Sequence, residues 1–152
     1  MSRSALSKTK VETDEQDRIK LLIIEDDNVH RMIIKRFASA LGFVIAEAST
    51  YESAIALLAD GTFDCVTLDL SIRARSGIDV LCHLREIGCR IPVLIISGAD
   101  ETKRLETAAF AEAMNFTVLH VMKKPLDLHA LQKALAKLKT FVHINNDVQA
   151  AH

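Results

Sequence analysis

The stretch Phe63-Asp64-Cys65-Val66-Thr67-Leu68-Asp69 runs from mainly apolar residues into a carboxylate, and three other runs end in the same manner. Leu21-Leu22-Ile23-Ile24 ends in Glu25-Asp26, and Val93-Leu94-Ile95-Ile96 ends in Ser97. Val118-Leu119-His120-Val121-Met122 ends in Lys123-Lys124-Pro125. An open parallel sheet gathers the carboxyl ends of its strands on one edge, where such folds place their sites. Three carboxylates, one hydroxyl and one amine are thereby expected to converge. That set suits a divalent cation and a phosphoryl group.

Working outward from these runs, short apolar segments near 20–25, 43–48, 63–69, 91–97 and 116–122 alternate with longer stretches of helical spacing. Each run is too continuously apolar for a one-sided sheet, as parallel strands covered on both faces require. Between them, Val29, Ile33, Phe37 and Leu41 place an apolar stripe on a first helix, with Asp27 as its N-cap and Gly42 as its stop signal. Ile55 and Leu58 mark a second helix, Ile78, Leu81 and Leu84 a third, and Leu105, Ala108 and Ala109 a fourth. Leu128, Leu131, Leu135, Leu138 and Val142 mark the last, with Pro125 read as its first residue. Five βα units predict an α/β fold: a doubly wound, five-stranded parallel sheet. Residues 1–18, rich in Ser, Lys, Thr, Asp and Glu, read as a flexible N-terminal tail, 19–142 as the single domain, and 143–152 as a polar, frayed C-terminal tail.

Composition narrows the classes. A chain of 152 residues, 49% of them apolar, holds one full core. The formal charge is -1 with the signs mixed along the chain, no basic stripe is visible and aromatic residues are few. Nucleic-acid binding, which needs a clustered positive surface, is not expected. No signal peptide and no run of membrane-spanning length is seen, so the chain reads as cytoplasmic, without membrane contact. Cys65, Cys82 and Cys89 lack metal-ligand spacing and read as reduced thiols.

In a sheet ordered 2-1-3-4-5, the first and third strands are neighbours, which brings Glu25, Asp26 and Asp69 together. Close carboxylates repel, and at least one pKa rises unless a cation neutralises them. Mg²⁺ resolves the conflict, taking oxygen ligands while keeping waters and an open position for a phosphate oxygen. Lys124, ending the fifth strand, can reach Asp69, whereas Lys123 beside it points the other way. The Ser97 hydroxyl, at the end of the fourth strand, can donate to a phosphoryl oxygen. The bland reading is that each group caps a strand end or faces solvent.

These motifs together resemble the receiver domain of two-component response regulators over about residues 20–140. The resemblance rests on Glu25-Asp26 after the first strand, Leu68-Asp69 after the third, Gly77 eight residues beyond Asp69, Ser97-Gly98 after the fourth and Lys124-Pro125 after the fifth. A register using Asp26 and Asp27 as the acidic pair fits less well the distance to Leu41-Gly42-Phe43. The resemblance implies a flavodoxin-like receiver fold in which Asp69 takes a phosphoryl group from a phosphohistidine on a sensor histidine kinase. It implies that Glu25, Asp26, Asp69 and the backbone carbonyl of Ser71 bind Mg²⁺, and that Ser97 and Lys124 hold the phosphoryl oxygens. The chain would be a phosphoacceptor that assists its own phosphotransfer and dephosphorylation, not an enzyme acting on a separate substrate. Two positions depart from the family pattern. Arg73 stands where proline is frequent, and Val121 stands where Tyr or Phe usually couples the site to the surface.

A receiver without an effector domain is expected to act by contact, as a phosphorylation-dependent switch or a phosphorelay shuttle with an unknown downstream protein partner. The surface expected to carry that contact is the fourth helix, fifth strand and last helix. Phe141 and Ile144, past the usual domain end, read as core packing plus a frayed end or as a homodimer contact through the last helix. A rival reading is a pseudo-receiver that works as a constitutive protein-binding module. An aspartate-nucleophile phosphatase is disfavoured, because Ser71 stands where such enzymes need a second acid.

Overall fold

The computed structural model describes residues 18–150; the expected tail at 1–18 falls almost wholly outside the described residues. The strands are β1 (Lys20–Ile24), β2 (Val44–Ala48), β3 (Cys65–Leu68), β4 (Ser71–Ile72), β5 (Arg75–Ser76), β6 (Val93–Ser97) and β7 (Val118–Lys123). The helices are α1 (Asn28–Ala40), α2 (Tyr51–Asp60), α3 (Gly77–Glu86), α4 (Glu101–Ala113) and α5 (Leu128–Ala150). Five strands pair in the order β2-β1-β3-β6-β7, every pairing parallel. This is the expected order 2-1-3-4-5, with one addition. The two short strands β4 and β5 form a separate antiparallel hairpin in the loop after β3.

Alternate strand residues feed opposite faces of the sheet, because successive side chains of a strand point to opposite sides. Leu22, Ile24, Val66, Leu68, Val93 and Ile95 pack on one face with residues of α2, α3 and α4. Leu21, Ile23, Cys65, Leu94 and Ile96 pack on the other with Ile34 and Ala38 of α1 and with Leu131, Ala134, Leu135, Leu138 and Val142 of α5. Both faces are therefore dry, which is why the runs carry so little alternation of polar residues.

Helix positions depart from the sequence reading in three places. In α1 the buried residues are Ile34 and Ala38, while Val29 is 65% exposed. Ile33, Phe37 and Leu41 of the expected stripe do pack, partly buried, against the core; four-residue steps turn about 40° further round a helix each time, so Val29, at the far end of the stripe, comes off it. In α4 the buried residues are Thr107 and Ala111, with Leu105 at 60% exposure. Thr107 Oγ1 donates to the Lys103 carbonyl at 2.9 Å, so its hydroxyl is satisfied inside the helix and the residue can be buried. Pro125 does not begin α5; the Lys124–Pro125 peptide is cis, and Asp127 Oδ1 accepts the Ala130 N–H at 3.1 Å as the helix begins.

Other local expectations hold. Asp27 Oδ1 accepts the His30 N–H at 2.8 Å as the N-cap of α1. Gly42 takes φ +89, and the Phe43 N–H donates to the Ala38 carbonyl at 3.1 Å, closing the helix with a left-handed residue. The helical conformation of α5 continues past Val142 to Ala150, where a frayed segment from His143 was expected. Packing against the core stops at Val142, which is 3% exposed, while 143–149 are exposed. That stretch contains neither Gly nor Pro, so nothing local interrupts the hydrogen-bond ladder. No described helix is long and apolar enough to cross a membrane.

Candidate phosphoryl and metal site

The ladders run one residue beyond the strands. The Glu25 N–H donates to the Ala48 carbonyl and the Asp69 N–H to the Ile24 carbonyl, each at 3.0 Å. These bonds set Glu25 and Asp69 at the carboxyl edge of β1 and β3, where the strand order reverses. The Lys124 N–H donates to the Ser97 carbonyl at 3.0 Å and extends β7 against β6 in the same way.

Carboxylate oxygens of Glu25, Asp26 and Asp69 all lie within 4.8 Å of one another, with Glu25 and Asp69 buried and Asp26 partly so. Lys124 Nζ lies 2.6 Å from Glu25 Oε1 and 3.1 Å from Asp69 Oδ2. The contact with Asp69 is a hydrogen bond, whereas that with Glu25 is an ion pair lacking hydrogen-bond geometry. Burial pushes the Glu25 carboxyl up to about 8, the Asp69 carboxylate adds to the rise, and Lys124 opposes it. Burial works against the Lys124 ammonium, but Glu25 and Asp69 together outweigh it and hold its pKa above the ordinary value. One ammonium among three acids leaves the site short of positive charge. A hard, oxygen-seeking divalent cation suits such a donor set.

Asp27, the rival member of the acidic pair, is spent elsewhere. It caps α1, and the His30 backbone N–H holds its carboxyl below the usual range. Ser97 is fully buried, and its Oγ accepts the Ala99 N–H at 3.0 Å, which leaves its own proton to donate. Ser71 donates its backbone N–H to Asp69 Oδ1 at 3.1 Å, and its side chain is exposed. Gly77 packs so tightly that a Cβ there would lie 2.7 Å from the Asp69 carbonyl oxygen and 2.9 Å from Leu70 Cα. No other residue fits this approach.

Two contributors escaped the sequence reading. Arg73, at the turn of the β4–β5 hairpin with φ +53, donates its backbone N–H to Asp26 Oδ2 at 3.2 Å. A proline could supply neither that N–H nor that φ, so the departure from the common pattern gives Asp26 an additional partner. Arg31 donates to the Glu25 carbonyl at 3.0 Å from within α1. Neither has a signal in one dimension, because both depend on a loop or helix folding back onto the sheet edge.

Residues 21–136 match the family model of the response regulator receiver domain, and the chain belongs to that family. Among curated relatives, the transcriptional regulatory protein ZraR of Escherichia coli O157:H7 is 30% identical over 128 residues, which are 84% of this chain and 28% of that protein. The chain thus spans under a third of that relative's length. Among solved structures, a CheY-like response regulator receiver domain protein from Methanospirillum hungatei JF-1 superposes with a TM-score of 0.72 at 16% identity, covering 85% of this chain and 99% of that one. A Burkholderia pseudomallei response regulator, described with a phosphorylated aspartic acid, a calcium ion and citrate, superposes with a TM-score of 0.64 at 20% identity, covering 86% and 74%. Receiver domains are signalling domains that accept phosphoryl groups, and the likeness to these structures concerns the fold.

Proposed function

We propose that the chain is a phosphorylation switch in which Asp69 accepts a phosphoryl group from a phosphohistidine on a sensor histidine kinase. The observation that carries this reading is Asp69 itself, 3% exposed, beside two further carboxylates and hydrogen-bonded to Lys124 at 3.1 Å. An Asp69 oxygen attacks phosphorus, the P–N bond breaks, the imidazole leaves with the bonding pair, and an acyl phosphate forms. Such transfer depends on positioning and charge neutralisation more than on covalent assistance. Glu25, Asp26, Asp69 and the Ser71 carbonyl would hold Mg²⁺, which when bound neutralises phosphoryl oxygens. Lys124 then exchanges its carboxylate partners for a phosphoryl oxygen, and the Ser97 hydroxyl donates to a second.

The fold likeness to the Burkholderia protein, whose description includes a phosphorylated aspartic acid and a calcium ion, is a precedent for this chemistry. The output is contact with a downstream protein, or onward transfer in a phosphorelay, from a cytoplasmic location. A second copy meeting the end of α5 is a further contact, supported by Ile144 and Val148 at 56% and 53% exposure.

The test is labelling by acetyl phosphate, with and without Mg²⁺, on wild type and Asp69→Asn, read by intact mass. Mg²⁺-dependent addition of one phosphoryl group, lost in the variant, is the expected result. Absence of both labelling and Mg²⁺ affinity would return the chain to the reading of a constitutive binding module.

A further inference from the structure

The three acids of the cluster are not held equally. Asp69 is 3% exposed and accepts from Lys124 and from the Ser71 N–H, and Glu25 is 1% exposed beside Lys124. Asp26 is only partly buried, and among the described residues its carboxylate meets a single hydrogen-bond donor, the Arg73 N–H at 3.2 Å. Arg73 reaches it from φ +53, a left-handed conformation that a residue with a Cβ adopts at a cost. The β4–β5 hairpin that carries it has only the pairs Ser71 with Ser76 and Ile72 with Arg75, too few to fix such a turn unaided. Contacts outside the hairpin must hold it.

One strand is anchored by Ile72, buried in the core. On the other, the Arg75 guanidinium lies over the Tyr51 ring, 3.8 Å from its centroid, and Arg75 Nε lies 3.2 Å from Asp79 Oδ2. Tyr51 begins α2 and packs, partly buried, against the core, while Asp79 stands in the first turn of α3. Arg75 is thus gripped from both flanking helices. An ion pair as exposed as that with Asp79 contributes little, so the attraction of the cation to the ring face carries much of the grip. We propose that Tyr51 and Arg75 form a latch that keeps the Arg73 N–H on Asp26, so that the Asp26 carboxylate is aimed before a divalent cation arrives. Both are positioning residues that act through Arg73. The proposal rests on the reading of Glu25, Asp26 and Asp69 as the Mg²⁺ site and names what sets that site's affinity. A ligand fixed in advance loses less conformational freedom on binding, which tightens the hold on the cation. The N–H occupies Asp26 Oδ2 and leaves the other oxygen to the metal.

Mg²⁺ affinity of the full chain is read by amide chemical-shift titration in NMR, and hydrogen exchange of the Arg73 amide is followed without metal. Tyr51→Leu keeps apolar bulk but loses the ring, and should weaken Mg²⁺ binding about fivefold while speeding Arg73 exchange by a similar factor. Tyr51→Phe keeps the ring and should leave both at their wild-type values. Arg73→Gly and Arg73→Pro remove the same charge, but only glycine keeps the N–H and accepts a positive φ. The proline variant should bind Mg²⁺ about tenfold more weakly than the glycine one. Adding Tyr51→Leu to Arg73→Pro should weaken it no further, since the latch then has no N–H to hold.

Unchanged Arg73 exchange in Tyr51→Leu would overturn the proposal. So would a loss in Tyr51→Phe as large as in Tyr51→Leu, which gives the effect to the hydroxyl. Urea unfolding of the same variants separates the latch from packing, because a merely structural Tyr51 lowers stability without moving the Mg²⁺ affinity of the folded chain. The two readings also part cleanly. Mg²⁺ uptake that Tyr51→Leu leaves unchanged sinks the latch and leaves the phosphorylation switch standing. Wild type that takes up no Mg²⁺ sinks the metal site of that switch, and the exchange rates then decide the hold on Asp26 by themselves.

Discussion

Gly77 and Thr67 flank the Asp69 segment and set how tightly single residues constrain the site. At Gly77 the neighbouring atoms are backbone and cannot move aside, so Gly77→Ala must push the Asp69–Leu70 segment away. We expect a loss of ~1–3 kcal/mol in urea unfolding, together with weaker divalent-cation binding, since the displaced backbone carries Asp69. Thr67 is 1% exposed, and its Oγ1 has no hydrogen-bond partner among the described residues. An unpaired buried hydroxyl is costly, and valine has nearly its shape. Thr67→Val should therefore leave stability unchanged or raise it by ~1 kcal/mol; a substantial fall in the urea midpoint would reveal an unseen partner for that hydroxyl.

At the scale of elements, α5 divides at Val142 into a half that the core holds and a half that it does not. Leu138 is fully buried among residues of α1 and the sheet, and Leu138→Ala is expected to cost ~2–5 kcal/mol through lost burial and the cavity left behind. Ile144→Ser with Val148→Ser touches only exposed positions and should shift stability by less than ~0.5 kcal/mol. The same pair tests the homodimer reading. Sedimentation that loses a concentration-dependent dimer on this change assigns the stripe to contact between copies, and unchanged sedimentation returns it to solvent. The short hairpin β4–β5 is an element of the same kind of consequence, because Arg73 at its turn donates its N–H to Asp26.

For the whole molecule, the buried acid cluster ties stability to pH. The folded-state pKa of Glu25, near 8, lies above its ordinary 4.5, so the folded form binds this proton more tightly than the unfolded chain. That contribution is fully present below about pH 4.5 and is lost as pH rises through about 8. Without divalent cations, the thermal midpoint should fall over this window, and Glu25→Gln should flatten the slope. Divalent cations need the deprotonated carboxylates, so Mg²⁺ should raise the midpoint more near pH 8 than near pH 6. Equal effects of Mg²⁺ at both values would show that the cation does not meet Glu25.

Much of this was legible in one dimension, for a physical reason. Parallel strands covered on both faces must be continuously apolar, so the five runs of the sheet, and the strand ends at which Glu25, Asp26, Asp69, Ser97 and Lys124 stand, could be read from Phe63–Asp69 and its counterparts, while the order 2-1-3-4-5 was what the resemblance to receiver domains implied. Local capping was equally readable, at Asp27 and at Gly42, because those signals act within one turn of helix. The rest required the tertiary structure. Which side of α1 and α4 is buried depended on where each helix lay against the sheet, and periodicity alone misplaced Val29 and Leu105. Arg73 meets Asp26 only because a loop folds back across the sheet edge. Tyr51 and Arg75 stand far apart in the chain and stack only because α2 and the β4–β5 hairpin meet. Short-range chemistry is written in neighbouring residues, whereas contacts such as these arise from elements that meet only on folding.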